Sequence, residues 1–192
     1  MRIFFLIFLS FFFITTQAQN NLNRGYKVTV GDQAPKIDLK LLDGQILNNE
    51  NIKGKVVVFQ FTASWCSVCI KEMPHLEKEV WQRFKEDDFL LIGVDLMEDL
   101  EVVKEFILKT EVTYPFTIDK EGAFFESFTL PRAGVTRNIV IDQNGKISFL
   151  TRLVDISLTG IMVGFDASYW TFKSDDSEIK INAFIISFIV VG

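Results

Sequence analysis

The sequence predicts an α/β fold in which a mixed β-sheet is flanked by helices. Three observations carry this. Apolar β-branched and aromatic runs alternate with segments of helical period, as at 56–61, 67–84 and 89–95. Two turn signals, Asp43-Gly44 and Asn144-Gly145, each separate short apolar runs and mark hairpins. Strand–helix–strand units followed by a terminal hairpin and helix give a sheet with both parallel and antiparallel neighbours.

From the amino terminus, Met1-Arg2 is a short positive start. Residues 3–14 form an apolar run with six phenylalanines, and Thr16-Gln17-Ala18 puts small residues at −3 and −1 of a cleavage site. Residues 1–18 therefore read as a secretory signal peptide, with cleavage after Ala18. A membrane anchor is the competing reading, but this run of 12 residues is short of the ~20 that span a bilayer. No cysteine lies near the cut, which excludes a lipid-anchored lipoprotein. The expected destination is outside the cytoplasm, in the periplasm or cell envelope. Residues 19–27 are polar and read as a flexible arm. Residues 28–166 form the expected domain, and 167–192 are a carboxyl-terminal extension of no assigned role. That extension holds two β-prone runs, Tyr169-Trp170-Thr171-Phe172 and 185–191.

Within the domain, residues 37–41 alternate like a half-buried strand, and Asp43-Gly44 returns the chain through Gln45-Ile46-Leu47. Asn48 or Asn49 can cap a short helical turn ending at Gly54. Residues 56–61 read as a buried strand, 67–84 as a helix and 89–95 as a second buried strand. Residues 98–110 place Leu100, Val103, Phe106 and Ile107 on one helical face. A short strand at 114–119, a helix or turn at 123–128 and strands at 138–142 and 146–150 follow. A last helix starts near Asp155. The glutamate-rich stretches 77–88 and 98–111 read as solvated helix faces. With 20 basic and 25 acidic residues, a net charge of −5 and no basic cluster, nucleic acid is not an expected partner.

The chemistry concentrates in Ala63-Ser64-Trp65-Cys66-Ser67-Val68-Cys69, which holds the only two cysteines of the chain. They sit where a strand feeds a helix amino terminus, where unpaired N–H groups and the helix dipole stabilise a thiolate. A zinc site needs two more Cys or His ligands, and His75 is the only histidine, so no metal is expected. An inert staple would close so small a loop that it would stabilise little. A redox-active dithiol is the better reading. Glu72, six residues after Cys66, reads on its own as a solvated helix glutamate. Pro74 is expected to kink the helix, and His75 to lie at the surface.

Gly31-Asp32-x-Ala34-Pro35, Leu42-Asp43-Gly44, Lys53-Gly54-Lys55-Val56-Val57-Val58, Trp65-Cys66-x-x-Cys69-x-x-Glu72-x-Pro74 and Ile141-Asp142-x-x-Gly145-Lys146 occur in that order. Together they resemble the exported thiol–disulfide oxidoreductases of the thioredoxin superfamily, the TlpA/ResA-like, redoxin-like branch, over residues 28–166. The resemblance implies a thioredoxin fold with an amino-terminal β-hairpin and an inserted strand–helix at about 89–110. It implies Cys66 as the attacking thiol, Cys69 as the resolving thiol and Glu72 as a catalytic carboxylate that shifts the cysteine pKa values or relays a proton to Cys69. Gln60 occupies the place of the buried acid of cytosolic thioredoxins. No cofactor is implied. The implied partners are protein thiols and disulfides and a membrane thiol electron donor, with the protein as reductant.

The chain departs from the family across the site. Relatives carry a cis-proline in a Val-Pro-Thr pattern, and counting back from Asp142 lands on Thr136, in Ala133-Gly134-Val135-Thr136-Arg137-Asn138. Trp65, Val135, Thr136 and Arg137 are the candidate substrate-binding residues, Arg137 as a thiolate stabiliser, a contact for an acidic partner, or an ordinary surface arginine. The missing proline favours one rival, a non-catalytic thioredoxin-like binding module with a structural disulfide. The complete cysteine motif favours the enzyme. A thioredoxin-fold peroxidase needs Thr or Ser three residues before its cysteine, where this chain has Ala63.

Overall fold

A computed structural model describes residues 25–152 and the backbone of two further strands at 170–174 and 177–181. The predicted signal peptide, the helix expected from Asp155 and the run 185–191 lie outside the described residues.

The first hairpin pairs β1 (Asp38–Lys40) with β2 (Ile46–Asn48) about Asp43-Gly44, with Lys40 opposite Ile46. The expected helical turn after it is a run of turns; Asn48 Oδ1 accepts from the N–H groups of Glu50 and Asn51. A five-stranded sheet follows, with β3 (Val56–Thr62) at its centre, β4 (Phe89–Leu96) and β5 (Phe116–Asp119) parallel on one side, and β6 (Arg137–Ile141) and β7 (Ile147–Arg152) antiparallel on the other. The order β5-β4-β3-β6-β7 puts the 89–110 unit inside the sheet, with β4 between β3 and β5. Strands β8 (Trp170–Ser174) and β9 (Ser177–Ile181) pair antiparallel with each other; the first overlaps the β-prone run at 169–172.

Every residue of β3 is buried, as the apolar run Val56–Phe59 of a central strand demands, and the polar Gln60 and Thr62 are buried with it. Its pleat divides the core. Val57, Phe59 and Phe61 join Ile92, Val94, Ile139 and Ile141 on one face, against the hairpin and α3 (Ala123–Phe128). Phe61 packs on the rings of Phe124, Phe125 and Phe128, and the Asp119 carboxylate holds α3 in place by accepting from the N–H groups of Phe124 and Phe125. On the other face, Val56, Val58, Phe89 and Leu91 meet Met73 of α1 (Ser67–His75) and Val103 and Phe106 of α2 (Leu100–Thr110). Leu100, expected on the buried face, is the first residue of α2 and is 39% exposed.

The helix predicted over 67–84 forms in three pieces. Pro74 lies inside α1 and has no N–H for the residue four back. A π-helical stretch, Leu76–Trp81, follows and leads into a last turn, Gln82–Phe84. Tyr26, expected in a loose arm, is instead buried; its hydroxyl donates to the Thr151 carbonyl at 2.7 Å, which ties the start of the described chain to β7. No helix among the described residues is long and apolar enough to cross a membrane. The mixed sheet, the hairpin and the helices on both faces make the thioredoxin-like fold that the motifs implied.

Candidate active site

The carboxyl end of β3 delivers the chain into α1 through Ala63-Ser64-Trp65, and Cys66 is the helix N-cap. Its backbone is extended, and its Sγ accepts from the Cys69 N–H at 3.2 Å. Cys66 and Cys69 form a disulfide with a Cα–Cα distance of 5.3 Å. Cys66 retains 7% exposure and Cys69 none, so Cys66 is the one of the pair that meets the surface. Trp65 beside them is 67% exposed and Val68 42%. Ala63 and Val135 cluster with the two cysteines, and Leu96 packs against the group.

Beneath α1, the face of the sheet turns polar at one end. Gln60 on β3 stands directly opposite Asn138 on β6, and Thr62 opposite Asp95 on β4. Glu72, one helical turn after Cys69, is buried over the first pair. Its Oε2 accepts from the Gln60 side-chain amide at 3.2 Å and its Oε1 from that of Asn138 at 2.6 Å. The Tyr114 hydroxyl donates to Gln60 Oε1 at 2.6 Å, which fixes which end of Gln60 faces the carboxyl. Burial pushes the Glu72 carboxyl up to about 7, against the opposing pull of its two amide donors. Burial, reinforced by the negative charge of Glu72, holds the Tyr114 hydroxyl well above its usual range, so it remains a donor.

A pair of acids, Asp95 and Glu98, borders the same loop. Asp95 is fully buried, and burial together with the nearby Glu98 carboxylate pushes it up to about 8. Glu98 grips the loop itself: its carboxylate accepts from the Ser64 N–H at 2.5 Å and from the Ser64 hydroxyl at 2.6 Å.

Across the disulfide, Val135 is 9% exposed and Thr136 8%. No cis peptide bond occurs among the described residues. Thr136 has a φ of 73°, donates its N–H to the Phe61 carbonyl at 3.2 Å, and carries its Oγ1 to 2.9 Å from Cys66 Sγ and 3.1 Å from Cys69 Sγ. Pro131 is exposed in the preceding turn.

The structure thus brings Trp65, Cys66, Cys69, Glu72, Val135 and Thr136 together. Arg137 is placed otherwise than expected. It is 1% exposed, its guanidinium lies 4.4 Å over the Tyr26 ring, and its Nε donates to the Gly134 carbonyl at 2.9 Å. The strand register turns it to the face opposite the active-site helix, so it is neither a surface arginine nor a contact for an acidic partner. His75 is exposed, as expected. Sequence reasoning missed Asn138, Tyr114, Asp95 and the grip of Glu98 on Ser64. Single polar residues in apolar strands (Asn138 in Arg-Asn-Ile-Val-Ile, Asp95 in Ile-Gly-Val-Asp-Leu) were the available signal.

A dithiol at a helix amino terminus, in a thioredoxin-like fold, with a buried carboxyl one turn behind it, defines a thiol–disulfide oxidoreductase. The chain belongs to the Redoxin family, whose profile matches residues 29–159. It is 29% identical over 147 residues to the thiol-disulfide oxidoreductase ResA of Bacillus cereus, an alignment covering 76% of this chain and 83% of that protein. A candidate protein disulfide isomerase from Bacteroides thetaiotaomicron, solved in solution, is 48% identical with a TM-score of 0.65 over 67% of this chain and 82% of that one. The thioredoxin domain of a thiol-disulfide oxidoreductase from Bacteroides vulgatus is 28% identical, with a TM-score of 0.57 over 65% of this chain and 89% of the other. The activity is therefore exchange between the Cys66–Cys69 couple and protein thiols. The complete motif prevails over the reading as a module with an inert disulfide.

Proposed function

We propose that the protein works outside the cytoplasm as a reductant of protein disulfides, with Cys66 attacking and Cys69 resolving. The observation that carries the assignment of roles is the difference in exposure, 7% at Cys66 against none at Cys69. The Cys66 thiolate, held by the Cys69 N–H, attacks one sulfur of a substrate disulfide. A mixed disulfide forms, the substrate bond breaks, and its second sulfur leaves as a thiolate. Glu72 takes the proton of the Cys69 thiol. The Cys69 thiolate attacks Cys66 Sγ, re-forms the internal disulfide and releases the first substrate sulfur. Two electrons pass to the substrate. A carboxyl titrating near 7 suits this task, because it both accepts and returns a proton at neutral pH. Trp65, Val135 and Thr136 frame the exposed edge of Cys66 and form the surface against which the substrate lies. A membrane thiol donor re-reduces the couple, and the apolar start of the chain is the export signal.

The test is the reduction potential of the Cys66–Cys69 couple, measured by equilibration in thiol buffers. A value near ~−270 mV supports a reductant, and one near ~−120 mV makes it an oxidant. A Cys69→Ser variant is expected to trap a mixed disulfide through Cys66; trapping by Cys66→Ser instead would reverse the roles.

A further inference from the structure

Thr136 is held in a costly conformation. Of the four non-glycine residues with left-handed backbone among the described residues, it alone is β-branched, and such a residue at a φ of 73° is strained. Strain of this kind persists where the surroundings impose it, and it gathers at functional sites. The bond from its N–H to Phe61 fixes the backbone at the mouth of β6, and the result is a hydroxyl stationed within hydrogen-bond reach of both active-site sulfurs. Against a closed disulfide that hydroxyl gains little, since a neutral sulfur is a weak acceptor. Against a thiolate it becomes a charge-assisted donor.

We propose that Thr136 is a catalytic residue: its hydroxyl donates to whichever active-site sulfur carries the negative charge. This deepens the exchange mechanism above and rests on it. In the reduced protein the hydroxyl joins the Cys69 N–H in holding the Cys66 thiolate. When Cys66 forms its bond to the substrate sulfur, the charge departs with the substrate's leaving sulfur, and the hydroxyl is released. Rotation about one side-chain bond turns it to Cys69, whose sulfur becomes charged as its proton passes to Glu72. The Cys69 electron pair then forms the new bond to Cys66 Sγ, and the pair of the broken mixed disulfide leaves on the substrate. Thr136 keeps its own proton throughout, so the balance of exchange is unchanged. Proline, which the family resemblance leads one to expect here, has neither the hydroxyl nor the N–H.

The test compares the reduced wild type with Thr136→Val, Thr136→Gly and Thr136→Ser, titrating Cys66 by the pH dependence of its alkylation and measuring the reduction potential. Valine keeps the shape and loses the donor. Glycine loses the donor and relieves the backbone, so it remains informative if the valine protein fails to fold. Serine keeps the donor. The expected result is a rise of about one pKa unit for Cys66 in the valine and glycine variants. Alkylation below the wild-type pKa then falls about tenfold, and the potential becomes more negative by about 30 mV, the equivalent of tenfold in equilibrium constant. Serine restores the wild-type profile. A wild-type profile in folded valine or glycine protein overturns the proposal, as does a serine variant shifted as far as valine. A wild type that exchanges no disulfides would sink the exchange mechanism itself, before any variant is compared.

Discussion

Glu72 and Gln60 meet at 3.2 Å beneath the active-site helix, a carboxyl from the helix on an amide from the central strand. The strand residue that would carry an acid in a cytosolic thioredoxin is here an amide, locked in orientation by Tyr114. The titrating group lies instead on α1, one turn from Cys69. In the proposed mechanism, chemistry that depends on a proton follows Glu72. Glu72→Gln keeps the volume and removes the base. It is expected to slow disulfide exchange on the order of 10²-fold and to abolish the inflection near pH 7 in the rate profile, while leaving the alkylation of Cys66 near wild type. Stopped-flow exchange between pH 5 and 9 reads both.

The same burial makes folding depend on pH. The folded pKa values lie near 7 for Glu72 and near 8 for Asp95, against ordinary values of 4.5 and 3.8. Both are raised, so the folded chain holds protons that the unfolded chain has released. Their contribution is complete below about pH 4 and is lost as pH rises through 7 and 8. Urea denaturation of the oxidised protein is expected to show wild type losing stability between pH 4.5 and 8 relative to Glu72→Gln, by an amount on the order of 3 kcal/mol. A difference of the opposite slope would contradict the assignment.

Asn138 is one of the two donors that oppose the rise of Glu72. Asn138→Leu leaves the carboxylate with a single amide. The inflection in the exchange profile is expected to move to higher pH, by about one unit. A move to lower pH would mean that Asn138 favours the protonated carboxyl instead.

Glu98 holds the active-site loop through both polar groups of Ser64. Glu98→Ala is expected to cost about 2 kcal/mol and to speed amide hydrogen exchange at Ser64. It also removes a negative neighbour of Asp95, so the Asp95 carboxyl is expected to titrate lower, which carboxyl NMR would follow. Unchanged protection at Ser64 would show that the loop is held by its other contacts.

Gly93 is where β4 admits the Phe116 ring. A Cβ at this position would stand 2.4 Å from the ring's Cζ, in the strand pair Gly93–Phe116. Gly93→Ala is expected to destabilise the protein by about 2 kcal/mol, measured as a lower denaturation midpoint with an unchanged slope. Gly93→Ala combined with Phe116→Leu is expected to recover part of that loss.

Much of this molecule was legible in its sequence, and for a consistent reason. The strands and helices follow from local periodicity, the Cys66–Cys69 pair from its place where a strand feeds a helix, and Glu72 from the resemblance of its motif to a known family. What escaped was set by pairing between distant segments. Nothing local tells that Asn138 comes to lie opposite Gln60, that Arg137 turns away beneath Tyr26, or that Thr136 is wound left-handed. Glu77 and Glu98 looked like solvated helix faces because charge is the usual surface signal. Each in fact ties down a remote loop, Glu77 by accepting from the N–H and hydroxyl of Thr113.

The π-helical stretch after Pro74 has a consequence of its own. In an ordinary helix, one residue more or fewer turns everything beyond it by about 100°. Here the front of the helix, with Cys69 and Glu72, is aimed by the sheet below it. The rear is aimed separately, by the Trp81 indole N–H donating to Thr113 Oγ1 at 3.1 Å. Residues 76–81 take up the difference in azimuth between the two. A single-residue insertion or deletion there would re-aim Trp81 and leave the carboxyl standing over Gln60. The helix is one rod by connectivity and two by phase, its front set by Glu72 on Gln60 and its rear by Trp81 on Thr113.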